Sequence, residues 1–207
     1  MNSVVVLEGI DGSGKETQTR KLLKRLRREG YDVSAMEYPT YEGAFYKPLG
    51  TFLEGKTKGL TQKQISVLFG VDRLGAKDEL TSLLEKGDVI CDRYVTANKL
   101  YQSVGVDDKD EFLDWLDQFE YDILGLPREE KTIFLDIPVD LALKNMAGKE
   151  KDVNESNVPF LRKVRESSHY VAERDDWVVI KCYEDGSMRS IESIHEDIYA
   201  EVCAVLD

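Results

Sequence analysis

The chain has 207 residues and a formal net charge of −12, with 42% hydrophobic and 33% charged residues. This size and composition predict one globular domain, residues 1–207, and exclude a largely disordered chain. The acidic balance argues against general binding of DNA or RNA, which needs a basic surface. No apolar run reaches the ~18 residues of a membrane span, and the chain enters a strand-like run at once. We therefore expect neither membrane contact nor a signal peptide.

The predicted elements alternate between short apolar strands and helices. Residues 31–38 form a strand that Pro39 stops, and the peptide before Pro39 is a candidate for the cis form. Thr61 is a plausible N-cap of a long helix, Pro138 opens a later one, and Ser187 or Ser190 caps the last. In chain order we predict strands at 3–7, 31–38, 89–91, 131–137 and 177–182, and helices at 17–29, 41–54, 61–86, 95–104, 108–123, 139–147, 159–174 and up to residue 206.

This alternation predicts an α/β fold, with a five-stranded parallel sheet covered by helices on both faces. Ligands of such sheets bind beyond the carboxyl ends of the strands. Polar clusters follow Leu7, Tyr38, Cys91 and Ile137, so we expect one active-site rim drawn from four places in the sequence.

A glycine loop joins the first strand to the first helix. Gly9 to Lys15 reads G-I-D-G-S-G-K, which fits the phosphate-loop spacing G-x-x-x-x-G-K. The glycines bring backbone N–H groups against phosphate oxygens, the helix N-terminus adds partial positive charge, and Lys15 reaches the outer phosphates. The predicted ATP-binding residues are Gly9, Asp11, Gly12, Ser13, Gly14, Lys15, Glu16 and Thr17.

The position after Lys15 departs from this pattern. It normally carries Ser or Thr, whose hydroxyl binds Mg²⁺, but here it is Glu16. A carboxylate can bind Mg²⁺, and it also brings negative charge close to a triphosphate. Glu16 is thus a candidate metal ligand and also the best argument for a nucleotide-binding protein that has lost catalysis.

Four further sets of side chains can carry chemistry, and each has a plainer interpretation. Asp92 and Arg93 follow a strand, where Asp92 can hold Mg²⁺ and Arg93 a phosphate, or the two form a buried ion pair. Phe69 and Arg73 share a helix face and can stack on a base and bond its carbonyl edge, or they are a core Phe beside a surface Arg.

Asn98 and Tyr101 share a second helix face. They can meet a base edge and fill the space below a sugar, or they serve ordinary helix packing. Residues 148–158 carry Lys149 and Lys151 without apolar periodicity. Such a loop is either a lid that closes over phosphates or an exposed charged segment.

Taken together, in this order and spacing, the motifs make the chain resemble the thymidylate kinases over nearly its whole length. They are EGIDGSGK, YP at 38–39, LFGVDR at 68–73, DRYVTANKLYQS at 92–103, FLDIPVDLAL at 134–143 and KD-x-x-E at 151–155. The resemblance implies transfer of the γ-phosphoryl group of ATP to dTMP with Mg²⁺, in a cytoplasmic enzyme that is commonly a homodimer. Three cysteines without metal or redox spacing agree with a cytoplasmic protein.

The resemblance also implies residue roles. Lys15, Arg93, Asp92, Lys149 and Lys151 would act in catalysis, while Asp152 and Glu155 at the lid hinge, with Glu16 and Asp92, are candidate metal ligands. Asp11 would accept a hydrogen bond from the sugar 3′-OH, and Tyr101 would crowd a ribose 2′-OH. The dTMP-binding residues would be Asp11, Tyr38, Pro39, Phe69, Arg73, Arg93, Asn98, Tyr101 and Gln102.

Besides Glu16, the chain departs from the family pattern at two further places. An Arg that often follows the Pro of the second strand is replaced by Thr40-Tyr41-Glu42, so Lys47 is the candidate for that phosphate contact. The lid has lysines in place of the usual arginines. The alternatives are a kinase for another pyrimidine monophosphate and the catalytically weakened binder of the same fold.

Overall fold

Five parallel strands, in the order β2-β3-β1-β4-β5, make the central sheet. The structure is a computed structural model, and it describes residues 2–41, 43, 45–146 and 157–206. The predicted α/β fold with a five-stranded parallel sheet is confirmed. The strands are β1 (Val4–Glu8), β2 (Val33–Glu37), β3 (Asp88–Asp92), β4 (Lys131–Asp136) and β5 (Val178–Lys181).

Helices connect the five strands, and a further helix follows the last strand. The α-helices are α1 (Lys15–Arg28), α2 (Tyr46–Leu53), α3 (Gln62–Gly75), α4 (Lys77–Leu84), α5 (Val95–Gln102), α6 (Lys109–Asp117), α7 (Val139–Asn145), α8 (Val158–Arg174) and α9 (Ile191–Leu206), with a π-helical segment, Gln118–Ile123, directly after α6. No helix in the described ranges is both long and apolar enough to cross a membrane.

The central strand β1 shows why helices cover both faces of the sheet. All five of its residues are buried, and alternate side chains of a strand point to opposite faces. Val5 and Leu7 pack against α1 and α9. Val4 and Val6 pack against α4 and the start of α5 on the other face. An apolar run without alternation is what a strand buried on both faces requires.

Two predicted helices differ from the observed ones. The helix expected over 41–54 begins only at Tyr46, because Tyr41 has a positive φ of 55° and Thr40 is bonded to Asp72 instead of opening a helix. The helix expected over 61–86 is divided at Ala76 into α3 and α4, directly after a glycine, which is a weak helix former. Its start is as predicted, since Thr61 and Gln64 form a capping box.

The C-terminal part contains a short hairpin that the sequence did not indicate. Strands β6 (Tyr183–Glu184) and β7 (Ser187–Met188) pair antiparallel outside the main sheet. Ser187 therefore lies in a strand, and Ser190 is the residue whose Oγ accepts from the N–H of Ser193 at the start of α9. The peptide between Tyr38 and Pro39 is cis.

Candidate active site

The glycine loop after β1 is wrapped tightly around its own lysine. Lys15 is buried, and its Nζ donates to the carbonyls of Gly9 at 2.6 Å and Ile10 at 3.2 Å. Gly12 has a φ of +81°, and a Cβ there would lie 2.4 Å from the carbonyl oxygen of Ala142 in α7, so only glycine fits. Burial, with Arg93 nearby, lowers the pKa of Lys15. The carboxylates of Asp11, Asp92 and Glu8 oppose that shift. The ammonium itself donates to two neutral carbonyls, which phosphate oxygens can replace.

A buried carboxylate lies beneath this loop and was missed by the sequence analysis. Glu8, the last residue of β1, is fully buried and accepts from the N–H of Gly9 and from the Oγ1 of Thr96, both at 2.9 Å. Burial raises its pKa, although Arg93 and Lys15 oppose that shift. A Glu that ends an apolar strand just before a glycine loop is the signal that could have revealed it.

Arg93 stands at the carboxyl end of β3 in a left-handed conformation, with a φ of 66°. Its guanidinium donates to Oδ1 of Asp11, and the Oη of Tyr101 donates to Oδ2 of the same carboxylate at 2.9 Å. Burial alone would raise the pKa of Asp11, but Arg93 and Lys15 hold it below its usual value. The ion-pair partner of Arg93 is therefore Asp11 in the glycine loop, and the expected alternative of a pair with Asp92 is wrong.

Two cavities meet at this ion pair. We call the larger the phosphate-loop cavity; it is lined by residues 11–18, Glu37, Tyr38, Tyr41, Asp92, Arg93, Asn145, Met146, Met188, Arg189, Ile191 and Ile194. We call the smaller the Phe69 cavity; it is lined by Asp11, Tyr38, Pro39, Tyr41, Leu53, Phe69, Arg73, Arg93, Ala97, Asn98, Tyr101 and Gln102. The walls they share are Asp11, Tyr38, Tyr41 and Arg93. Two ligands bound there would meet at one cation and one carboxylate.

The residues predicted to bind dTMP and those predicted to bind ATP line different cavities, apart from the shared wall. All nine residues expected to bind dTMP line the Phe69 cavity. Of the eight expected to bind ATP, all but Gly9 line the phosphate-loop cavity, and Gly9 contributes the carbonyl that holds Lys15. The four lid residues Lys149, Lys151, Asp152 and Glu155 lie outside the described residues.

Arg73 is not the surface arginine of the plainer interpretation. It is 1% exposed, and its Nε donates to Oε2 of Glu120 at 2.7 Å while its Nη2 donates to Oε1. Burial would lower its pKa, but the Glu120 carboxylate outweighs this and the pKa of Arg73 is raised. Asn98 joins the same carboxylate through its Nδ2 at 2.6 Å. Sequence analysis missed Glu120, because it is 47 positions from Arg73 and lies in no motif.

Carboxylates gather on the β2–β3 side of the phosphate-loop cavity. Asp92, Glu37 and Glu16 all line it, and burial, together with the charges of Asp92 and Glu16, raises the pKa of Glu37. No group of three or more His, Cys, Asp or Glu side chains in the described ranges is arranged to hold a metal by itself. A divalent ion that kept most of its ligands as water and phosphate oxygens would fit these carboxylates, and this is the habit of Mg²⁺.

The predicted rim is only partly as expected. Residues after β1, β2 and β3 line the cavities, but Asp140, the polar residue that follows Ile137, lines neither and accepts from Nη2 of Arg162 at 2.7 Å. The fourth contribution comes instead from Asn145, the last residue of α7, and Met146, directly after it. Met188 in the hairpin, Arg189 directly after it and Ile191 at the start of α9 were also missed, because no motif marks this stretch. Lys47 is exposed on α2 and lines neither cavity; Tyr41 lines both.

The chain combines a phosphate loop and a buried lysine with a second cavity that meets the first at an arginine. This combination is typical of P-loop phosphotransferases. Comparisons with known proteins narrow this class. The family model described as thymidylate kinase matches residues 7–198. The chain is 31% identical over 198 residues to a probable thymidylate kinase of Methanocaldococcus jannaschii, covering 95% of this chain and 94% of that one. It is 28% identical to the thymidylate kinase of Plasmodium falciparum, covering 97% and 90% of the two chains.

A solved structure of thymidylate kinase from Candida albicans has the same fold. Its TM-score is 0.80 at 20% identity, covering 99% of this chain and 92% of the other. From the family model and the sequence relatives, the chain belongs to the thymidylate kinase family. Its reaction is the phosphorylation of dTMP by ATP.

Proposed function

We propose that the two cavities divide the substrates, with ATP in the phosphate-loop cavity and the dTMP acceptor in the Phe69 cavity. The single observation that supports this division is their junction at Arg93 and Asp11. Phosphoryl transfer requires the donor and acceptor phosphates to meet in line, at a point of concentrated positive charge. Arg93 and Lys15 supply that charge.

On the ATP side, the loop N–H groups and Lys15 bind the β- and γ-phosphates. Lys15 exchanges its bonds to the carbonyls of Gly9 and Ile10 for phosphate oxygens, which are better partners for a buried ammonium. Met188 and Ile191 are apolar residues of the cavity lining, and they would flank the adenine ring. Lys149 and Lys151 of a lid over about 148–158 complete the charge around the moving phosphoryl group.

On the dTMP side, Phe69 stacks on thymine and Arg73 donates to its 4-carbonyl. Asn98 meets the base edge at N3, and Arg93 binds the phosphate. Asp11 accepts from the sugar 3′-OH, because its pKa is held low and the carboxylate stays ionised. The ring of Tyr101, fixed by the bond of its hydroxyl to Asp11, fills the space that a ribose 2′-OH would occupy.

Thymidylate kinases, as kinases, generally use a divalent metal with ATP, and the carboxylates beside Lys15 fit one. We assign Asp92 and Glu16 to hold Mg²⁺ or its bound water, with Asp152 and Glu155 as further candidates at the lid. The bound metal would neutralise charge on the β- and γ-phosphates. Glu16 then takes the place of the usual hydroxyl residue as a ligand.

The reaction needs no covalent enzyme intermediate. An oxygen of the dTMP phosphate forms a bond to the γ-phosphorus, while the bond from that phosphorus to the β–γ bridging oxygen breaks and its electron pair leaves with ADP. The acceptor is already anionic, so no strong base is required. The residues therefore act by positioning the two phosphates and by neutralising charge.

A panel of acceptors tests the proposal. ADP formation from Mg-ATP is followed with dTMP, dUMP, dCMP, dGMP, UMP and a blank without acceptor. We expect the highest kcat/KM with dTMP and little ADP in the blank. Equal turnover with dCMP would refute the base placement, and ATP or dTMP binding without ADP formation would point to the inactive binder. Beyond Glu16 and the missing Arg after Pro39, no feature of the described residues favours that binder.

We also propose that residues 1–207 act as one kinase domain in the cytoplasm, where ATP is abundant and the free thiols of Cys91, Cys182 and Cys203 stay reduced.

A homodimer packed through α3 is our proposal for the assembly, supported by the exposure of Val67 on that helix. Light scattering that gave only a 23.6 kDa species would refute the dimer.

A further inference from the structure

One buried carboxylate holds two polar side chains that line the Phe69 cavity and that we assign to the base. Glu120 is fully buried. It accepts from Arg73 through both carboxylate oxygens, and from the Nδ2 of Asn98 through Oε1 at 2.6 Å. Glu120 itself does not line the cavity. It therefore acts on any ligand only through these two neighbours.

The contacts fix which atom Asn98 offers to a ligand. Its Nδ2 has two N–H groups, and the second donates to the carbonyl of Ser66 at 3.1 Å. Both partners are acceptors only, so turning the amide over would set its Oδ1 against a carboxylate and a carbonyl. Within the described part of the chain no donor reaches Oδ1. Asn98 thus presents a hydrogen-bond acceptor to the cavity.

Arg73, in contrast, can only donate hydrogen bonds to a ligand. A guanidinium has five N–H groups and no acceptor. Glu120 takes two of them and the carbonyl of Tyr94 takes a third at 3.2 Å. The remaining two can only donate. The pair therefore presents one acceptor and one donor, in an arrangement that Glu120 holds from behind.

We propose that Glu120 is a positioning residue that makes the site select keto pyrimidines over amino pyrimidines. Thymine and uracil carry an N3–H donor beside an O4 acceptor, which match Asn98 Oδ1 and Arg73. Cytosine carries an N3 acceptor beside an N4 amino donor, so it is mismatched at both atoms. The inference rests on the proposed placement of the base in the Phe69 cavity.

The local backbone and the packing against α3 place the Glu120 carboxylate beside its two partners. Glu120 lies in the π-helical segment Gln118–Ile123, and such segments are rare and often occur at functional sites. The segment lies directly against α3 at Gly70, where a Cβ would come within 2.6 Å of the Phe119 ring and 3.2 Å of Leu124. The glycine between Phe69 and Arg73 thus has a packing role: it lets Glu120 approach both partners.

Glu120→Gln tests the inference, because it keeps the shape but gives the side chain a donor. One of the two acceptor-only partners of the Asn98 amide is then lost, so only the Ser66 carbonyl still holds its orientation and Oδ1 is no longer fixed toward the base. We expect kcat/KM to fall for dTMP and dUMP and the preference for dTMP over dCMP to fall about 10- to 100-fold. Glu129→Gln is the matched control: Glu129 is bound by Tyr121 at 2.7 and 2.8 Å and lines neither cavity.

The ratio of the two acceptors separates positioning from structural support. A uniform fall for dTMP, dUMP and dCMP, or an unchanged ratio, overturns the role of Glu120. If Glu120→Gln does not fold, Glu120→Asp keeps the charge beside Arg73 but withdraws the carboxylate from Asn98. It should still lower the ratio several-fold, and an unchanged ratio again refutes us. A wild-type enzyme without preference for dTMP over dCMP would instead refute the proposed base placement.

Discussion

Replacement of Arg93 should abolish most of the activity. In the structure Asp11 takes one of its five N–H groups, which leaves enough donors for a bidentate contact with the dTMP phosphate. Two charge-assisted hydrogen bonds of about 1.5 kcal/mol each amount to about 3 kcal/mol, or roughly 100-fold in rate. We therefore expect Arg93→Ala to lower kcat/KM for dTMP at least ~100-fold.

Arg93→Lys refines the same test. Lysine keeps the charge but loses the planar fork, so we expect an intermediate loss of about 10-fold. The assay is initial-rate ADP formation with dTMP varied at saturating ATP. Arg174→Lys is the control, because Arg174 also pairs with aspartates, Asp110, Asp114 and Asp175, and lines neither cavity. Near-native activity of Arg93→Ala would refute its assignment to the acceptor phosphate.

Three further predictions concern the glycine loop and its surroundings. Glu16→Ser should raise the Mg²⁺ concentration needed for half-maximal rate about 10-fold, as measured by metal titration; a gain in activity would mean that the carboxylate is inhibitory. Tyr101→Phe removes the bond to Asp11 and should lower kcat/KM about 5-fold while the preference for dUMP over UMP is kept, since the ring remains; loss of that preference in the acceptor panel would refute the steric role of the ring. Glu8→Gln should raise the melting temperature at pH 7. Because burial raises the pKa of Glu8 above 4.5 in the folded state, its stability contribution is present at low pH and is lost as pH rises from about 4.5 through the folded pKa. The gap between variant and wild type should therefore close near pH 4, and a variant less stable than wild type at pH 7 would contradict this sign.

The sheet and the phosphate loop were predictable because their signals are local. A strand buried on both faces needs an uninterrupted apolar run, as residues 3–7 have, and a loop that turns against phosphate needs glycines at fixed spacing. The capping box at Thr61 is equally local. Each motif of the Phe69 cavity has a plainer interpretation when it is taken alone. Its residues could be predicted as a binding site only because several motifs occur together at the spacing of one family.

What failed or was missed depends on contacts between distant parts of the chain. The early start predicted for α2 failed because Asp72, 32 positions away, binds Thr40. The hairpin β6–β7 has strands of two residues each, too short for any periodicity. Met188 and Ile191 reach the phosphate-loop cavity only because α9 packs on α1 beside the loop.

The sequence by itself determined the order of strands and helices, the phosphate loop and the residue types that serve two phosphates and a base. These follow from the preferences of neighbouring residues and from spacings within single elements. The tertiary structure alone decided which charges meet: Arg93 with Asp11 instead of Asp92, and Arg73 and Asn98 with Glu120. The physical reason is that a buried charge must find a partner wherever the packing of the whole chain brings one. Periodicity and spacing carry no information about that choice.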